Sequence, residues 1–550
     1  MYAKDFSTRG CGNSGKFSNS TKPSTEDSLV DKLEPDLHIY STIPLRSQAD
    51  YFIPLINTLP TEILICIFKY CHYLWWSTPI RKDQADSPAI WDRSIRNIMR
   101  LGCPENLSHV CTLWRQIVLS TPAMWSCLNI LTLGRSPQTF LDRASAFVPR
   151  AQNQKFSLCL GLYHYETTFL PNIDELKDFF RFTSPRLREL LIDNYSDDTA
   201  FFTSLIQTTI SKATPGILHC LCVTNHCRRT QQGIGTEGTD DWELPTAESC
   251  GVSQQLLDSI LRPITSLRLS NNFFPWSSPA YHGLVKLHLL FTRSKRGRKP
   301  HIHVDKLRDM LLASPALRVL HINITVIGKD EINGLAPVPL NELEELSLDE
   351  MSRDVYDVVL PLLAPGTKPL QFTFQMQQEF NAPLYCTTVA AFLERANVTS
   401  LYILGRSLFD QRLSVDELMT KSPGNIRTLG LEYLQIPEAP ISEDETYEGL
   451  GQLSRLYMRK CVIDVDEFKK LAGLFRLQML KLHKPEFRGR PKGNDVGAWQ
   501  EIMSIAPTVK WVRSTRGMDR WDGWMVEYND PPATVDLPDR SCGDTPSAVL

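Results

Sequence analysis

The stretch from residue 317 to residue 482 decides the fold, because one six-residue pattern returns in it seven times. The copies are LRVLHI (317–322), LEELSL (343–348), PLQFTF (369–374), VTSLYI (398–403), IRTLGL (426–431), LSRLYM (453–458) and LQMLKL (477–482). Each copy has apolar residues at its first, fourth and sixth positions, and this alternation is typical of a strand with one buried face. Successive copies begin 26, 26, 29, 28, 27 and 24 residues apart. The chain is therefore built from repeats.

Further copies of the pattern lie on both sides of this stretch. They are LRELLI (187–192), LHCLCV (218–223), ITSLRL (264–269), LVKLHL (284–289) and VKWVRS (509–514). Helix-like segments precede many copies, namely VDKLRDMLLAS (304–314), TTVAAFLERA (387–396), VDEFKKLAGLF (465–475) and GAWQEIMSIA (497–506). The period resembles that of the leucine-rich repeat, although the consensus Asn or Cys is clear only at Asn272 and Cys461.

This pattern predicts a solenoid of alternating short parallel strands and helices, in which each repeat buries its leucines against its neighbours. The alternative is an ordinary α/β domain whose parallel strands recur at this interval. With the helices described below, the fold class is mixed α/β, or α+β over the whole chain.

Composition and charge limit the classes of function. The chain has 550 residues, of which 42% are hydrophobic and 22% charged, as in soluble globular proteins. Its 59 Lys and Arg against 62 Asp and Glu give a net charge of −3, which argues against a general nucleic-acid binder. No apolar stretch is long enough to span a membrane, and the first residues lack the apolar segment of a secretion signal. The 14 cysteines include no Cys-x-x-Cys pair and are interpreted as free thiols of a cytoplasmic protein.

Two apolar helical patterns precede the repeats. The first is LPTEILICIFKYC (59–71). Proline is favoured in a first helical turn, as at Pro60, and the carboxylate of Glu62 interacts favourably with the positive end of the helix dipole. The second is LSHVCTLWRQIVL (107–119), which Ser120-Thr121-Pro122 ends and Trp125 follows. Its apolar residues fall at helical spacing and predict one continuous helix with a single apolar stripe; they are Leu107, Val110, Cys111, Trp114, Ile117 and Val118.

These two patterns together resemble the F-box, a helical module that binds Skp-family adaptors of cullin-based ubiquitin ligases. Its second half, VCTLWRQIVLSTPAMW (110–125), is similar to the F-box domain-containing proteins of mushroom-forming (basidiomycete) fungi. The intervening stretch, about 77–105, is longer than in a minimal F-box. The resemblance implies that the following residues bind the adaptor or hold the module together: Leu59, Pro60, Glu62, Ile63, Leu64, Ile67, Phe68, Leu107, Val110, Cys111, Trp114, Arg115 and Trp125.

An F-box followed by leucine-rich repeats implies a substrate-recruiting subunit of an SCF-type ubiquitin ligase, in which the repeats bind the substrate protein. In each repeat the residue between the last two apolar positions is expected on the concave face. This column reads Arg268, His288, His321, Ser347, Thr373, Tyr402, Gly430, Tyr457, Lys481 and Arg513. Arg268, His288, His321, Tyr402, Tyr457 and Lys481 are the predicted substrate-binding residues. Because the column contains no acid, it predicts a ligand of acidic character.

A second class of function stays open: a non-catalytic interaction scaffold whose F-box-like helices only cap the first repeat. An enzyme is disfavoured, since the chain has no phosphate-binding Gly-rich loop, nucleophile elbow or HExxH motif. His301 and His303 lack a third metal ligand at a supporting spacing and are interpreted as surface histidines. Arg293 to Lys299 form a basic cluster, interpreted as a loop or a nuclear-import signal. No catalytic residue, metal or cofactor is predicted.

The predicted organisation has four parts. Residues 1–50 and 529–550 are expected to be disordered tails, because they are polar and poor in aromatic residues. Residues 51–130 form the F-box-like domain with its insertion at about 77–105. Residues 150–528 form the solenoid, with a loop inserted at about 230–251.

Overall fold

The computed structural model describes 55–77, 103–131, 137–162, 173–196, 198–226, 244, 246–291, 300–329, 334–348, 353–376, 387–405, 424–435, 452–473, 475–483, 485–488, 501–502 and 504–511. The chain divides into two units, Met1–Leu59 and Pro60–Leu550. In the first unit the described part is a short 3-10 helix, Leu55–Thr58, and Leu59. All other elements belong to the second unit. The tails predicted for 1–50 and 529–550 lie outside the described residues, as does most of the insertion at 77–105.

A helical segment comes first in the second unit. It contains α1 (Thr61–Ser77), α2 (Cys103–Ser108), α3 (Thr112–Leu119) and a 3-10 helix, Pro122–Trp125. The backbone carbonyl of Pro60 accepts hydrogen bonds from the amides of Ile63 and Leu64, at 3.0 and 3.1 Å, and so begins α1 as the sequence predicts. As the sequence Ser120-Thr121-Pro122 predicts, α3 ends at Leu119. Just after this end, the side chain of Thr121 donates a hydrogen bond to the Ile117 carbonyl at 2.7 Å.

The single helix predicted over 107–119 is wrong, because the structure has two helices there with a break at residues 109–111. Cys111 has an extended backbone, with φ −157° and ψ 173°, and its Sγ accepts a hydrogen bond from the Trp114 amide at 3.5 Å as the N-cap of α3. The Arg115 Nε donates to the Ser108 carbonyl at 2.9 Å and satisfies the end of α2. The local cap and this side-chain bond therefore replace the continuous helical ladder.

The repeats form one long sheet of short strands. In chain order the strands of the protein are β1 (Cys127–Leu131), β2 (Phe156–Leu162), β3 (Leu187–Asn194), β4 (Cys220–Asn225), β5 (Ser266–Ser270), β6 (Lys286–Leu290), β7 (His301–His303), β8 (Val319–Asn323), β9 (Thr325–Ile327), β10 (Val338–Leu340), β11 (Glu345–Leu348), β12 (Leu363–Pro365), β13 (Leu370–Gln375), β14 (Val398–Leu404), β15 (Thr428–Glu432), β16 (Arg455–Arg459), β17 (Val462–Asp464), β18 (Met479–His483), β19 (Glu486–Arg488) and β20 (Thr508–Trp511).

Fourteen of these strands pair in parallel and follow the order of the chain from β1 to β20. The other six form three two-stranded parallel sheets, β7 with β9, β10 with β12 and β17 with β19. A doubly wound α/β domain reverses its strand order at a switch point, whereas the order of these fourteen strands never reverses. The arrangement is a mixed α/β fold with a long parallel sheet, and it is compatible with a repeat solenoid.

Helices connect many of the strands, as parallel pairing requires a crossover. They are α4 (Pro137–Arg150), α5 (Ile173–Thr183), α6 (Thr199–Lys212), α7 (Gln254–Leu261), α8 (Val304–Leu312), α9 (Arg353–Leu362), α10 (Thr387–Arg395) and α11 (Val465–Gly473). The helices predicted at 304–314, 387–396 and 465–475 are confirmed by α8, α10 and α11. Of the fourth, at 497–506, the structure describes only part.

The apolar positions of the repeat pattern form the core. In β5, for example, Leu267 and Leu269 are fully buried while Arg268 between them lies on the opposite face of the sheet. One contiguous cluster of buried apolar side chains runs from Leu64 to Ala506. The helical segment therefore shares its core with the sheet, through the 3-10 helix and β1. The sheet thus begins at Cys127, inside the range 51–130 predicted for the helical domain.

Polar side chains also join neighbouring repeats at the ends of the strands. Cys461, which the repeat consensus singled out, is buried and its Sγ donates to the Leu431 carbonyl at 3.4 Å. Asn194 and Asn225, which the repeat pattern did not predict, form a hydrogen bond between their side chains at 3.0 Å between β3 and β4. Both hydrogen bonds satisfy polar groups that the stacking of repeats would otherwise bury without a partner.

Candidate functional site

Helix α1 is apolar on two of its faces. Leu64, Phe68 and His72 lie on the inner face and are at most 6% exposed. On the outer face Ile63 is 47% exposed, Tyr70 is 63% exposed and Cys66 is exposed as well. Together with half-buried Ile67, these outer residues occupy positions i, i+3, i+4 and i+7 of one helix, so they form a single stripe. We call Ile63, Cys66, Ile67 and Tyr70 the outer face of α1.

The inner face explains how the helical segment holds together. The rings of Phe68 and Trp114 lie 4.7 Å apart between their centroids, which ties α1 to α3. Burial lowers the pKa of His72 from 6.5 to about 4, because the charged imidazolium loses its hydration there. The neutral form of His72 is therefore part of the packed side of α1.

The thirteen residues of the F-box pattern separate into three groups by exposure. Leu59, Pro60, Glu62, Ile63, Val110 and Arg115 are exposed; Ile67, Leu107, Cys111 and Trp114 are half-buried; Leu64, Phe68 and Trp125 are buried. Cys111 and Arg115 have the structural roles described above, at the break between α2 and α3. The pattern thus contains both core residues and surface residues.

Three exposed apolar side chains of this segment are not among the residues that the sequence pattern predicted. Tyr70, Leu113 and Leu119 are 63%, 37% and 48% exposed. Tyr70 lies seven residues after Ile63, and this spacing could have revealed it. Leu113 and Leu119 were hidden by the prediction of one continuous helix, since the break at Val110 changes which residues face outward.

Trp125 anchors the helical segment to the first repeat. It is 2% exposed, its Nε1 donates to the Val118 carbonyl at 2.9 Å, and its ring meets that of Phe147 of α4 edge-on at 4.8 Å. Nearby, Glu105 of α2 forms a bidentate ion pair with Arg143 of α4. The role of Trp125 in this structure is therefore internal packing.

The predicted substrate-binding residues lie side by side in register on one face of the sheet. Pairing runs from Arg268 through His288, His321, Ser347, Thr373, Tyr402, Gly430 and Tyr457 to Lys481. We call this row the central column. After Lys481 the register continues to Lys510, whereas the predicted Arg513 lies outside the described residues. The last strand is therefore shifted by three residues from the predicted frame.

The central column is much less exposed than a solvent-facing column should be. His321, Tyr402 and Tyr457 are 2%, 1% and 5% exposed, and Arg268, His288 and Lys481 are half-buried. Strands only about 4.8 Å apart bring these long side chains into contact with one another. The ammonium of Lys481, for instance, lies 5.0 Å from the centre of the Tyr457 ring. Burial raises the pKa of Tyr402, so its hydroxyl stays neutral.

Acids flank the central column although it contains none. Glu345 lies two residues before Ser347 on the same face, and one of its oxygens is 2.7 Å from His321 Nε2. Glu432 of β15 is 2% exposed and lies 3.6 Å from Arg459. The acid-free row thus has compensating charges in the neighbouring rows, and a general preference for acidic ligands does not follow from it.

Other candidate features carry less chemistry. His301 is exposed, and His303 lies 3.5 Å from Asp305, which agrees with their interpretation as surface or edge histidines. Among the described residues no group of three or more His, Cys, Asp or Glu could hold a metal ion. None of the helices in the described ranges is long and apolar enough to cross a membrane. The basic cluster at 293–299 lies outside these ranges.

Comparison with known proteins gives one distant likeness. No family model matches the chain. The chain is similar to the "Probable disease resistance protein RF9" of Arabidopsis thaliana, with 25% identity over 132 residues. The match covers 23% of this chain and 11% of the Arabidopsis protein. The chain therefore spans a small part of the length of this relative.

Proposed function

We propose that this protein is the substrate-recruiting subunit of an SCF-type E3 ubiquitin ligase. In this proposal the helical segment is an F-box that binds a Skp-family adaptor and, through it, a cullin. The leucine-rich repeats bind the substrate protein, and the chain has no catalytic residue or cofactor of its own. The observation that carries the proposal is the outer face of α1, which leaves an apolar stripe exposed within the motif that resembles the F-box.

The outer face of α1 has the form of a helix that binds in an apolar groove. Anchors at i, i+3, i+4 and i+7 characterise this mode of recognition, and Ile63, Cys66, Ile67 and Tyr70 occupy those positions. Burying an apolar side chain of this size contributes about 1.5–3 kcal/mol relative to leaving it exposed. Val110, which is 59% exposed at the break before α3, adds apolar surface in the same segment.

The sheet supports the second half of the proposal. Fourteen parallel strands in chain order present one continuous face, and such extended faces serve repeat proteins as binding surfaces for other macromolecules. The likeness to a disease resistance protein covers only part of the chain and adds little support to this half of the proposal. A binding role for the repeats rests on this architecture more than on the likeness.

A second candidate is a scaffold without a ligase role, in which the helices only cap the solenoid. The Glu105–Arg143 ion pair and the contact of Trp125 with Phe147 favour it, because they attach the helical segment to the first repeat. Exposure of Leu59 and Pro60 favours adaptor binding, while burial of Phe68 fits both functions. A cap, however, needs only the inner face of α1 to be apolar.

The test is the affinity of the full-length chain for a purified fungal Skp-family adaptor, measured by calorimetry. The variant Ile63→Asp/Tyr70→Asp should bind at least about 30-fold more weakly, since two anchors of the groove are lost. Phe182→Asp is the matched control, because Phe182 of α5 is 67% exposed outside the helical segment. Circular dichroism checks that all variants are folded.

Equal affinity of the Ile63→Asp/Tyr70→Asp variant and the wild type would overturn this binding mode. A folded wild-type chain that does not bind the adaptor would overturn the ligase proposal, and the scaffold function would then be favoured. Loss of binding in Phe182→Asp would show that the contact lies elsewhere on the protein.

A further inference from the structure

A groove of about 620 Å³ lies between the helices α4 and α5. Its lining comes from these two helices and from the turns that follow them, so it is separate from the outer face of α1 and from the central column. The lining residues of α4 recur at helical spacing from Gln138 to Pro149, and those of α5 recur in the same way from Glu175 to Phe182. One face of each helix therefore forms a wall of the groove, over a common length of about two turns.

The floor of the groove is apolar, and an exposed aromatic ring adjoins it. Leu141, Val148 and Phe179 are at most 8% exposed, whereas Phe182 is 67% exposed. This fraction is the largest for any large apolar side chain within the described ranges. Single exposed apolar residues are normal at a protein surface, but Phe182 lies beside a groove with a buried apolar floor. The ring and the floor together offer an anchor for an apolar side chain of another molecule.

Both walls of the groove carry exposed carboxylates. They are Asp142 on α4 and Glu175 and Asp178 on α5. The Gln138 side-chain amide donates to Asp142 at 3.1 Å and to Glu175 at 2.7 Å. This neutral group brings the two carboxylates together without adding a positive charge. Asp178 forms an ion pair with Arg181, whose side chain is 56% exposed. The rim of the groove is therefore accessible and acidic.

The one cation that lines the groove, Arg186, is held by the fold. Its guanidinium lies 4.3 Å from the centre of the Phe156 ring and donates to the Gln152 carbonyl. Arg186 follows α5 and is eleven residues from Glu175, which corresponds to about 16 Å along a helix. The acidic end of the groove and its arginine are therefore at opposite ends of α5.

We propose that this groove binds a short segment of a partner protein whose apolar side chains and arginines or lysines recur at helical spacing. An apolar side chain of the segment packs on Phe182 and the floor, and its cations pair with Asp142 and Glu175. A second copy of this chain fits less well, because a symmetric contact of two grooves would bring like charges together. The surface goes beyond the proposed function, since it uses neither the adaptor-binding face nor the sheet.

The experiment measures binding of fluorescein-labelled peptides to the full-length chain by fluorescence anisotropy. The first probe is the peptide LARLLRALLRAL, which places leucines and arginines on opposite faces of a helix. The second, LAELLEALLEAL, has glutamate in place of each arginine. The third, QARQQRAQQRAQ, has glutamine in place of each leucine. We expect the first peptide to bind at least about tenfold more tightly than either of the others.

Two variants remove one part of the site each. Phe182→Gln removes the anchor without changing the charge and should weaken binding of the first peptide by about tenfold. Glu175→Gln should weaken it by about fivefold and reduce its dependence on salt concentration. Leu312→Gln and Glu394→Gln are the matched controls, because Leu312 of α8 and Glu394 of α10 are exposed on other connecting helices. Each control should bind the first peptide within about a factor of two of the wild type.

Adaptor binding separates this site from the ligase proposal. Phe182→Gln should bind the adaptor as the wild type does, and Ile63→Asp/Tyr70→Asp should still bind the first peptide. Circular dichroism checks that every variant is folded. Sedimentation of the wild type and of Phe182→Gln shows whether the groove instead joins two copies of the chain.

Several results would overturn the site. They are equal binding of the first and second peptides, unchanged binding by folded Phe182→Gln, an equal loss in either control, loss of the first peptide in Ile63→Asp/Tyr70→Asp, and a dimer that Phe182→Gln abolishes. Absence of binding by any peptide, with adaptor binding intact, would remove the proposed groove site and leave the ligase proposal standing.

Discussion

The helical segment exposes several large apolar side chains, whereas the repeat sheet buries the apolar side chains of its pattern. Eleven large apolar side chains are exposed in the described part of the chain, and five of them lie between Ile63 and Leu119. In the sheet, by contrast, the apolar positions of the repeat pattern are almost fully buried. The difference arises because each repeat packs against the next one, whereas within the described ranges no further layer of residues lies beside the outer face of α1.

This contrast supports the proposal that the outer face of α1 binds another molecule. A repeat obtains its buried area from its own neighbours, so its stability is a property of the array. In helix α1, only the inner face is buried against neighbouring described residues. An exposed stripe of apolar residues at helical spacing therefore supports the proposed binding surface in the helical segment.

The largest expected effect compares one core residue of the sheet with one residue of the outer face. Phe372 is fully buried, with ring centroids 5.5 Å from Phe374 and 5.2 Å from Phe392. Phe372→Ala should lower the free energy of unfolding by about 3–5 kcal/mol through lost contacts and a cavity. Ile63→Ala should change it by no more than about 0.5 kcal/mol. Urea denaturation followed by circular dichroism gives both values. A similar cost for the two variants would mean that the outer face is packed inside the protein.

A pH titration tests the inner face of α1 through His72. Because burial lowers its pKa from 6.5 to about 4, the unfolded chain binds a proton there before the folded chain does. Stability is therefore fully present above pH 6.5 and falls as the pH is lowered toward 4. The loss from this group is at most about 3 kcal/mol. Urea denaturation between pH 4 and 7.5 should show a flatter profile for His72→Gln.

The control for this titration is Gln116→Ala, since Gln116 is exposed on α3 and carries no ionisable group. This variant should keep the pH profile of the wild type. A profile in His72→Gln as steep as in the wild type would show that other groups cause the acid loss.

The repeat period predicted the sheet well because strand register follows directly from spacing. The row from Arg268 to Lys481 lies in register as expected. The spacing carries no information on how deeply a side chain is covered by its neighbours, so the burial of His321 and Tyr402 was missed. At β20 a pattern match three residues out of frame selected Arg513 instead of Lys510, because VKWVRS is the weakest copy.

The helical segment was less predictable, because a cap competes there with helical periodicity. The apolar stripe from Leu107 to Val118 fits one helix, yet Cys111 ends that periodicity by capping α3. Periodicity also cannot separate an inner face from an outer face when both are apolar, as in α1. The F-box resemblance named residues of this segment without separating core from surface, and the structure divided them.

The smallest expected effect compares helix caps in the two regions. Cys111 Sγ accepts the Trp114 amide at 3.5 Å, and Ser253 Oγ accepts the Leu256 amide at 3.2 Å at the start of α7. Removal of a hydroxyl cap costs about 1 kcal/mol, so Ser253→Ala should lower the free energy of unfolding by that amount. Sulfur is a weak acceptor, so Cys111→Ala should cost less, about 0.5 kcal/mol. Cys111→Ser should stabilise the protein slightly, because serine is a preferred cap.

Urea denaturation of the three variants measures these differences against the wild type. If Cys111→Ala proved as costly as Ser253→Ala, the break before α3 would depend on the sulfur cap as strongly as α7 depends on its hydroxyl. If Cys111→Ser instead destabilised the protein, the cap could not be what holds the break. The position of the break would then depend on the hydrogen bond from Arg115 to the Ser108 carbonyl. The exposure of Val110, which lies at the break, would depend on the same bond.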